Sequence, residues 1–116
     1  MKVGIIFYGL KTCDTCRKAQ KELRAAGVEF DVIDVRADGV SAEKLSEWTG
    51  KVDWKKLLNT RSTTWRNLDA SDKDGVDAAK AIALMSANPT LIKRPVIELG
   101  REVLVGWTAE TKAQTL

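Results

Sequence analysis

Val3-Gly4-Ile5-Ile6-Phe7-Tyr8-Gly9-Leu10-Lys11-Thr12-Cys13-Asp14-Thr15-Cys16-Arg17-Lys18-Ala19 is the stretch on which the fold turns. Residues 3–8 are almost wholly apolar, as in a short strand covered on both faces of a sheet. Residues 9–12 read as a turn. A helix is expected from about residue 14 to residue 26, stopped by Gly27, which suits the position just past a helix end. Cys16, Ala19, Leu23 and Ala26 recur at helical spacing as its inner face, while Arg17, Lys21 and Arg24 fall on an exposed one. Phe30, Val32 and Ile33 then predict a second strand ending near Asp34-Val35-Arg36. Strand, helix and strand in this order, over this length, fit a right-handed parallel crossover.

The middle of the chain reads as helical pieces. Ser41 is a candidate N-cap for a helix carrying residues 44–48. Residues 53–58 form a second short piece, 59–64 a polar loop, 65–68 a helical turn, and 69–74 a polar, mobile stretch. Val76, Ala79, Ile82, Ala83 and Ser86 mark a further helix ending at Asn88-Pro89. Residues 95–99 and 102–105 read as strands joined by Gly100-Arg101, a two-residue hairpin turn. Thr108 caps a last helix to about Thr115. The resulting order, β-α-β, a helical middle, then β-β-α, is the thioredoxin framework: a mixed four-stranded α/β fold with a helical insertion before the third strand. It is expected to fill residues 1–116 as one domain.

Composition narrows the chemistry. The 116 residues are 44% hydrophobic and 30% charged, as in a globular chain, with a net charge of +3. That mild excess gives no case for direct nucleic-acid binding. There is no histidine, which removes Ser-His-Asp and Cys-His catalysis and any histidine proton switch. Two cysteines without histidine leave too few ligands for a zinc site, so no metal is expected. The apolar run near the N-terminus is followed by no small-residue cleavage site, and no stretch is long enough to span a membrane. The expectation is a cytoplasmic, monomeric protein.

The two cysteines stand at the start of the expected first helix. A bridge between them would close almost no loop and add little stability. Cys-x-x-Cys beside a β-α-β pattern reads instead as a redox motif. Cys13 falls at the N-cap, where unpaired amides and the helix dipole favour an anion, and the thiolate is the nucleophile. Cys16 lies one helical turn on, within reach, as the thiol that resolves a mixed disulfide on Cys13. Arg17 and Lys18 oppose the helix dipole in the first turn, either as a plain solvated face or as added positive potential for a thiolate or an anionic substrate. Thr12, in the turn, is a structural member of the site.

Lys93-Arg94-Pro95 precedes the third strand. In this framework such a proline is usually cis and faces the cysteines, which would bring Arg94 over Cys13 as a ligand for an oxyanion or carboxylate. The alternative is a proline opening an edge strand beside a surface arginine. Arg61, in a Thr/Ser loop, is either an anion ligand or simply solvated. Trp48, Trp54 and Trp65 read mainly as core, with Trp65 the best candidate to line a cleft, and Trp107 as packing for the last helix.

Three stretches together resemble one family: 8–19, containing Cys13-Asp14-Thr15-Cys16; 57–66, containing Asn59-Thr60-Arg61-Ser62-Thr63-Thr64-Trp65; and 88–97, containing Lys93-Arg94-Pro95. The family is the arsenate-reductase-like ArsC/Spx/YffB group, and the resemblance, which covers nearly the whole chain, is nearest to its YffB-like branch. It implies a thioredoxin fold with a helical insertion, Cys13 as nucleophile, and Arg61 and Arg94 among a set of oxyanion-binding arginines. A third arginine of that set would fall around Gly106-Trp107, where this sequence has none. The function so implied is a thiol-dependent reductase with no tightly bound cofactor and glutathione as co-substrate, possible partners being glutaredoxin or thioredoxin. The alternatives are arsenate reduction coupled to glutathione or glutaredoxin, and an Spx-like redox-sensitive regulator that binds RNA polymerase.

Overall fold

The computed structural model of the chain describes residues 4–116. These fall into two compact units, one running up to Asp38 and resuming at Arg94–Leu116, the other Gly39–Lys93. The first unit holds the sheet: β1 (Ile5–Gly9), β2 (Asp31–Asp34), β3 (Val96–Leu99) and β4 (Glu102–Val105), in the order β2-β1-β3-β4. β1 pairs parallel with β2, Phe7 opposite Val32, and antiparallel with β3, Phe7 opposite Ile97. β3 and β4 form a hairpin closed by Leu99 opposite Glu102, with Gly100 at φ +62° in the turn, a backbone state glycine adopts without a Cβ clash. The sheet is therefore mixed, with β1 and β3 central, and the fold is thioredoxin-like. Val3, expected to open the first strand, lies outside the described residues.

Helix α1 (Asp14–Ala25) follows β1. Its C-terminus is closed by the Gly27 N–H on the Arg24 carbonyl and the Val28 N–H on the Leu23 carbonyl, with Gly27 at φ +75°, the geometry that ends helices at glycine. Cys16, Ala19 and Leu23 are fully buried with Phe7 and Ile97. Ala26, expected on the same face, is exposed. It is the C-cap, where the chain is already leaving the helix and the 3.6-residue period no longer governs it.

The second strand differs from its expected bounds. Phe30 precedes it, its ring 5.9 Å from Phe7. It stops at Asp34, whose carboxylate accepts the Arg36 and Ala37 N–H groups at 2.9 and 3.0 Å and so starts the short helix α2 (Val35–Asp38). An aspartate capping amides two and three residues on competes directly with strand continuation.

The second unit is helical: α3 (Ala42–Thr49), α4 (Trp54–Leu57), α5 (Thr63–Arg66), α6 (Ala70–Lys73) and α7 (Ala78–Ala87), followed by a 3-10 turn at Pro89–Leu91. Ser41, Asp53, Ser62 and Asp77 each cap the following helix through their side chains, which is why so short a set of helices can start cleanly. The Ser62 cap moves α5 two residues ahead of the expected turn at 65–68. The stretch 69–74, expected to be mobile, contains α6. Lysine amines tie it down, Lys73 Nζ on the Arg66 carbonyl at 3.2 Å and Lys80 Nζ on the Ser71 carbonyl at 2.8 Å and on that of Asp74. Leu45 and Trp48 of α3 and Ala81, Leu84 and Met85 of α7 are buried, and the two helices pack together. α8 (Ala109–Thr115), capped by Thr108, closes the chain in the first unit.

Leu23→Ala is expected to lower stability by about 2–5 kcal/mol, whereas Ala26→Gln, on the exposed cap, changes it by less than about 0.5 kcal/mol; urea unfolding of both variants checks the helix face.

Candidate functional site

The cysteine pair sits where β1 hands over to α1. Leu10, just past the end of β1, is buried, its carbonyl accepting the Cys13 N–H at 3.2 Å and closing the turn that carries exposed Lys11 and Thr12. Cys13 is the N-cap residue, extended at φ −86°, ψ 117°, and its own side chain makes no capping bond. Its carbonyl accepts the Arg17 N–H at 3.0 Å, the first helical bond. The amides of Asp14, Thr15 and Cys16 precede that bond and have no place in the ladder.

The two sulfurs differ in environment. Cys13 is half-buried and Cys16 fully buried, and both are free thiols. Cys16 shares a hydrogen bond with the Cys13 side chain. Burial pushes the Cys16 thiol from an ordinary 9.0 up to about 12; the bond to Cys13 and that residue's charge add to the rise, while the Leu10 N–H and the Arg94 guanidinium oppose it. Cys16 therefore holds its proton at neutral pH.

Arg94 and Pro95 belong to the same unit, and the peptide between them is cis. Pro95 is fully buried, and its carbonyl accepts the Gly106 N–H at 2.7 Å, fastening the start of β3 to the end of β4. Arg94 is half-buried, with its Nε wholly enclosed, and its charge reaches Cys16. The fold thus places Cys16 beside Cys13 and within reach of the Arg94 charge. Arg17 is exposed on α1 and ion-paired with Asp14 three residues earlier. It also lines a groove of about 630 Å³ along α1 and β2, with Lys11, Gln20, Arg24, Val32 and Asp34.

Arg61 lies in the second unit, exposed ahead of α5. Its N–H bonds to Asn59 Oδ1 at 3.1 Å, and its carbonyl accepts from the Arg66 guanidinium at 3.4 Å. Ser62 Oγ donates to the Asn59 carbonyl at 2.9 Å, and the Thr64 and Thr90 hydroxyls meet at 2.6 Å. The Thr/Ser loop is therefore ordered by its own side chains. Of the tryptophans, Trp48 is core, while Trp54 and Trp65 are half-buried.

Two features escaped sequence reasoning. Gly9, at the end of β1, lies directly against Cys16; a glycine inside a strand is the signal that marks such close approaches. The second is Trp107, which packs against the core around Cys16 and donates its indole N–H to Glu22 of α1. That bond, with Lys112 and Lys18 nearby, holds the Glu22 carboxyl below its usual range. Nothing in the periodicity links residues 85 positions apart.

A model of the ArsC family matches residues 8–115. The chain belongs to the ArsC family. A solved YFFB protein superposes with a TM-score of 0.92 at 43% identity, covering 97% of this chain and 98% of that one, in keeping with the YffB-like branch. An ArsC-related protein from Brucella melitensis gives a TM-score of 0.76 at 36% identity, covering 96% and 92%. An uncharacterized protein of Haemophilus influenzae is 42% identical over 89% of this chain and 90% of its own length. The global transcriptional regulator Spx of Streptococcus mutans is 27% identical over 85% and 73%. The family thus spans proteins named for redox enzymes and for regulators. Among the described residues, no helix is long and apolar enough to cross a membrane.

The Cys16 proton makes a pH prediction. The unfolded chain releases it near 9.0 and the folded chain holds it to about 12, so its contribution to stability is complete below the first value and is lost as pH rises toward the second. Under reducing conditions, the urea midpoint is expected to fall more steeply between about pH 8 and about pH 11 in the native protein than in Cys16→Ala.

Proposed function

We propose that the protein is a thiol–disulfide oxidoreductase whose Cys13 attacks a disulfide, with glutathione as the small thiol of the cycle and the cytoplasm as its compartment. The observation that carries this reading is Cys13 at the N-cap of α1 with Cys16 hydrogen-bonded to it one turn on, the Arg94 charge acting on Cys16.

The Cys13 thiolate displaces one thiolate from a substrate disulfide and forms a mixed disulfide with the other half. Cys16 then attacks the Cys13 sulfur. A Cys13–Cys16 bond forms, the mixed bond breaks, and the second thiolate leaves with the proton Cys16 gives up. The substrate disulfide is reduced to two thiols and the protein is oxidised by the same two electrons. Two glutathione molecules, or the dithiol of a glutaredoxin or thioredoxin, would restore the pair. Arg94 would hold a carboxylate of the thiol, since a guanidinium matches a carboxylate with two parallel bonds. Arg17 would serve any anion that reaches α1 from the groove, exposed Thr12 would shape the rim, and buried Pro95 would support the backbone beneath Arg94.

Arsenate reduction is the weaker enzymatic reading, because the third oxyanion arginine implied by the resemblance is missing and Trp107 is bonded to Glu22 instead. A regulatory reading, in which oxidation of the pair modulates binding to RNA polymerase, draws support from the likeness to Spx. Stable capture of purified RNA polymerase, altered by oxidation, together with no disulfide turnover, would favour it.

The test of the enzymatic reading is mass spectrometry after exposure to oxidised glutathione. A single glutathione adduct on Cys13 is expected, followed by its loss as the internal bridge forms. Cys13→Ala should form neither and reduce no substrate, and a Cys13→Ala protein with intact turnover overturns the proposal. Arg94→Ala is expected to raise KM for glutathionylated substrates about tenfold, the loss of one charge-assisted contact, with a smaller change in kcat.

A further inference from the structure

Five glycines, Gly27, Gly39, Gly75, Gly100 and Gly106, take positive φ angles that explain their identity. Gly9 does not. It is the last residue of β1, paired with Asp34 of β2 in ordinary strand geometry. Any residue could adopt its backbone conformation, so what a side chain would strike becomes the question. A Cβ at position 9 would fall 2.8 Å from Phe7 Cε1, 3.0 Å from Cys16 Sγ and 3.3 Å from Cys16 Cβ.

None of those atoms has room to retreat. Phe7 and Cys16 are fully buried, in one cluster with Ala19, Leu23 and Ile97. Interiors packed to this density transmit displacement rather than absorb it. The amide that bonds Cys16 belongs to Leu10, the next residue along, so a shift of the strand end to relieve the contact would also move that donor.

We infer that Gly9 is a positioning residue for the resolving step: the space left by its absent side chain is where Cys16 Sγ sits, so position 9 decides whether a mixed disulfide on Cys13 closes internally or waits for an external thiol. The inference rests on the thiol–disulfide reading above and adds to it a determinant of route. Closure requires Cys16 Sγ to approach the Cys13 sulfur in line with the bond being broken. The Cys13–Cys16 bond forms, the Cys13–thiol bond breaks, and the thiolate leaves with the proton from Cys16. The three atoms nearest a Cβ at position 9 belong to Phe7 and Cys16, while Cys13 is half-buried at the helix cap, so the inference separates loading of Cys13 from closure.

The experiment follows both steps by mass spectrometry with oxidised glutathione as the probe, on the native protein, Gly9→Ala, Phe7→Leu and the double variant Phe7→Leu/Gly9→Ala. Phe7→Leu removes the ring atom that makes the tightest contact, after which the two Cys16 atoms are the next nearest, so the double variant serves if Gly9→Ala alone folds poorly. Both variants carrying Gly9→Ala are expected to load glutathione on Cys13 within about twofold of their parents but to close about tenfold or more slowly, so that the adduct accumulates, as expected when a reacting atom is displaced by a fraction of an ångström. A double variant that closes as fast as Phe7→Leu overturns the inference, and so does one slowed equally in loading and closure. A native protein that never loads glutathione on Cys13 is a different result, and it overturns the thiol–disulfide reading itself.

Discussion

Helix α1 is seated on the sheet by Cys16, Ala19 and Leu23, buried against Phe7 of β1 and Ile97 of β3. Everything at the cysteine pair depends on that contact. Phe7 and Ile97 are paired across the sheet, so the helix rests on the two central strands rather than on an edge. Small side chains at 16 and 19 let the helix come close, and Leu23 fixes its far end. The seating sets where the helix begins, which sets where Cys13 and the unpaired first-turn amides lie. Cys16 has a double part in this: it is a core residue by packing and, in the proposed function, a reactant by chemistry. A sulfur locked into a dense interior has a defined position and a poor solvation environment at once, which is why its proton is held so firmly.

The rest of the sheet supplies the counterpart. β3 opens at a buried Pro95 bonded through its carbonyl to Gly106, so the approach to the strand is pinned at both ends of the hairpin. On the face of the sheet away from Phe7, Tyr8 donates its hydroxyl to Glu98 at 2.8 Å, satisfying a phenol that is almost wholly buried. Cross-strand bonds of this kind tie β1 to β3, the two strands that carry Gly9 and the cis proline at their ends. The chemistry-bearing residues are therefore placed by backbone pairing and core packing, with few polar contacts of their own.

Much of this was legible in the sequence, because it is local. The strand, turn and helix around the cysteines, the glycine stop at Gly27, the caps at Ser41 and Thr108, and the Gly100-Arg101 hairpin all follow from periodicity and turn chemistry over a few residues. The misplacements have local causes too. β2 leaves out Phe30 and ends at Asp34, where the side chain captures amides, and α5 starts early because Ser62 does the same. Region 69–74 read as mobile because lysine-to-carbonyl bonds from residues 73 and 80 leave no hydrophobic pattern. What could not be read is the contact between elements: the approach of Gly9 to Cys16 and the bond from Trp107 to Glu22 each need the placement of α1 on the sheet first, while the exposure of Ala26 turns on where the helix ends.

Trp107 bears on the kind of anion the site would accept. An indole at this position offers one N–H donor, and that donor is already committed to Glu22, with Lys112 Nζ 3.6 Å from the same carboxylate and 5.9 Å from the ring centroid. A compact oxyanion stripped of water needs several convergent charged donors to offset its desolvation. Where the resemblance implies a third arginine, this chain has instead a packed aromatic ring beside an ion pair of Glu22 and Lys112. An extended carboxylate-bearing thiol makes a lesser demand, because its charges lie away from the reacting sulfur and each can be met by a separate guanidinium in partial contact with solvent. Within the proposed function, packing in place of charge at residue 107 would suit a substrate that brings sulfur to Cys13 better than one that brings a bare oxyanion.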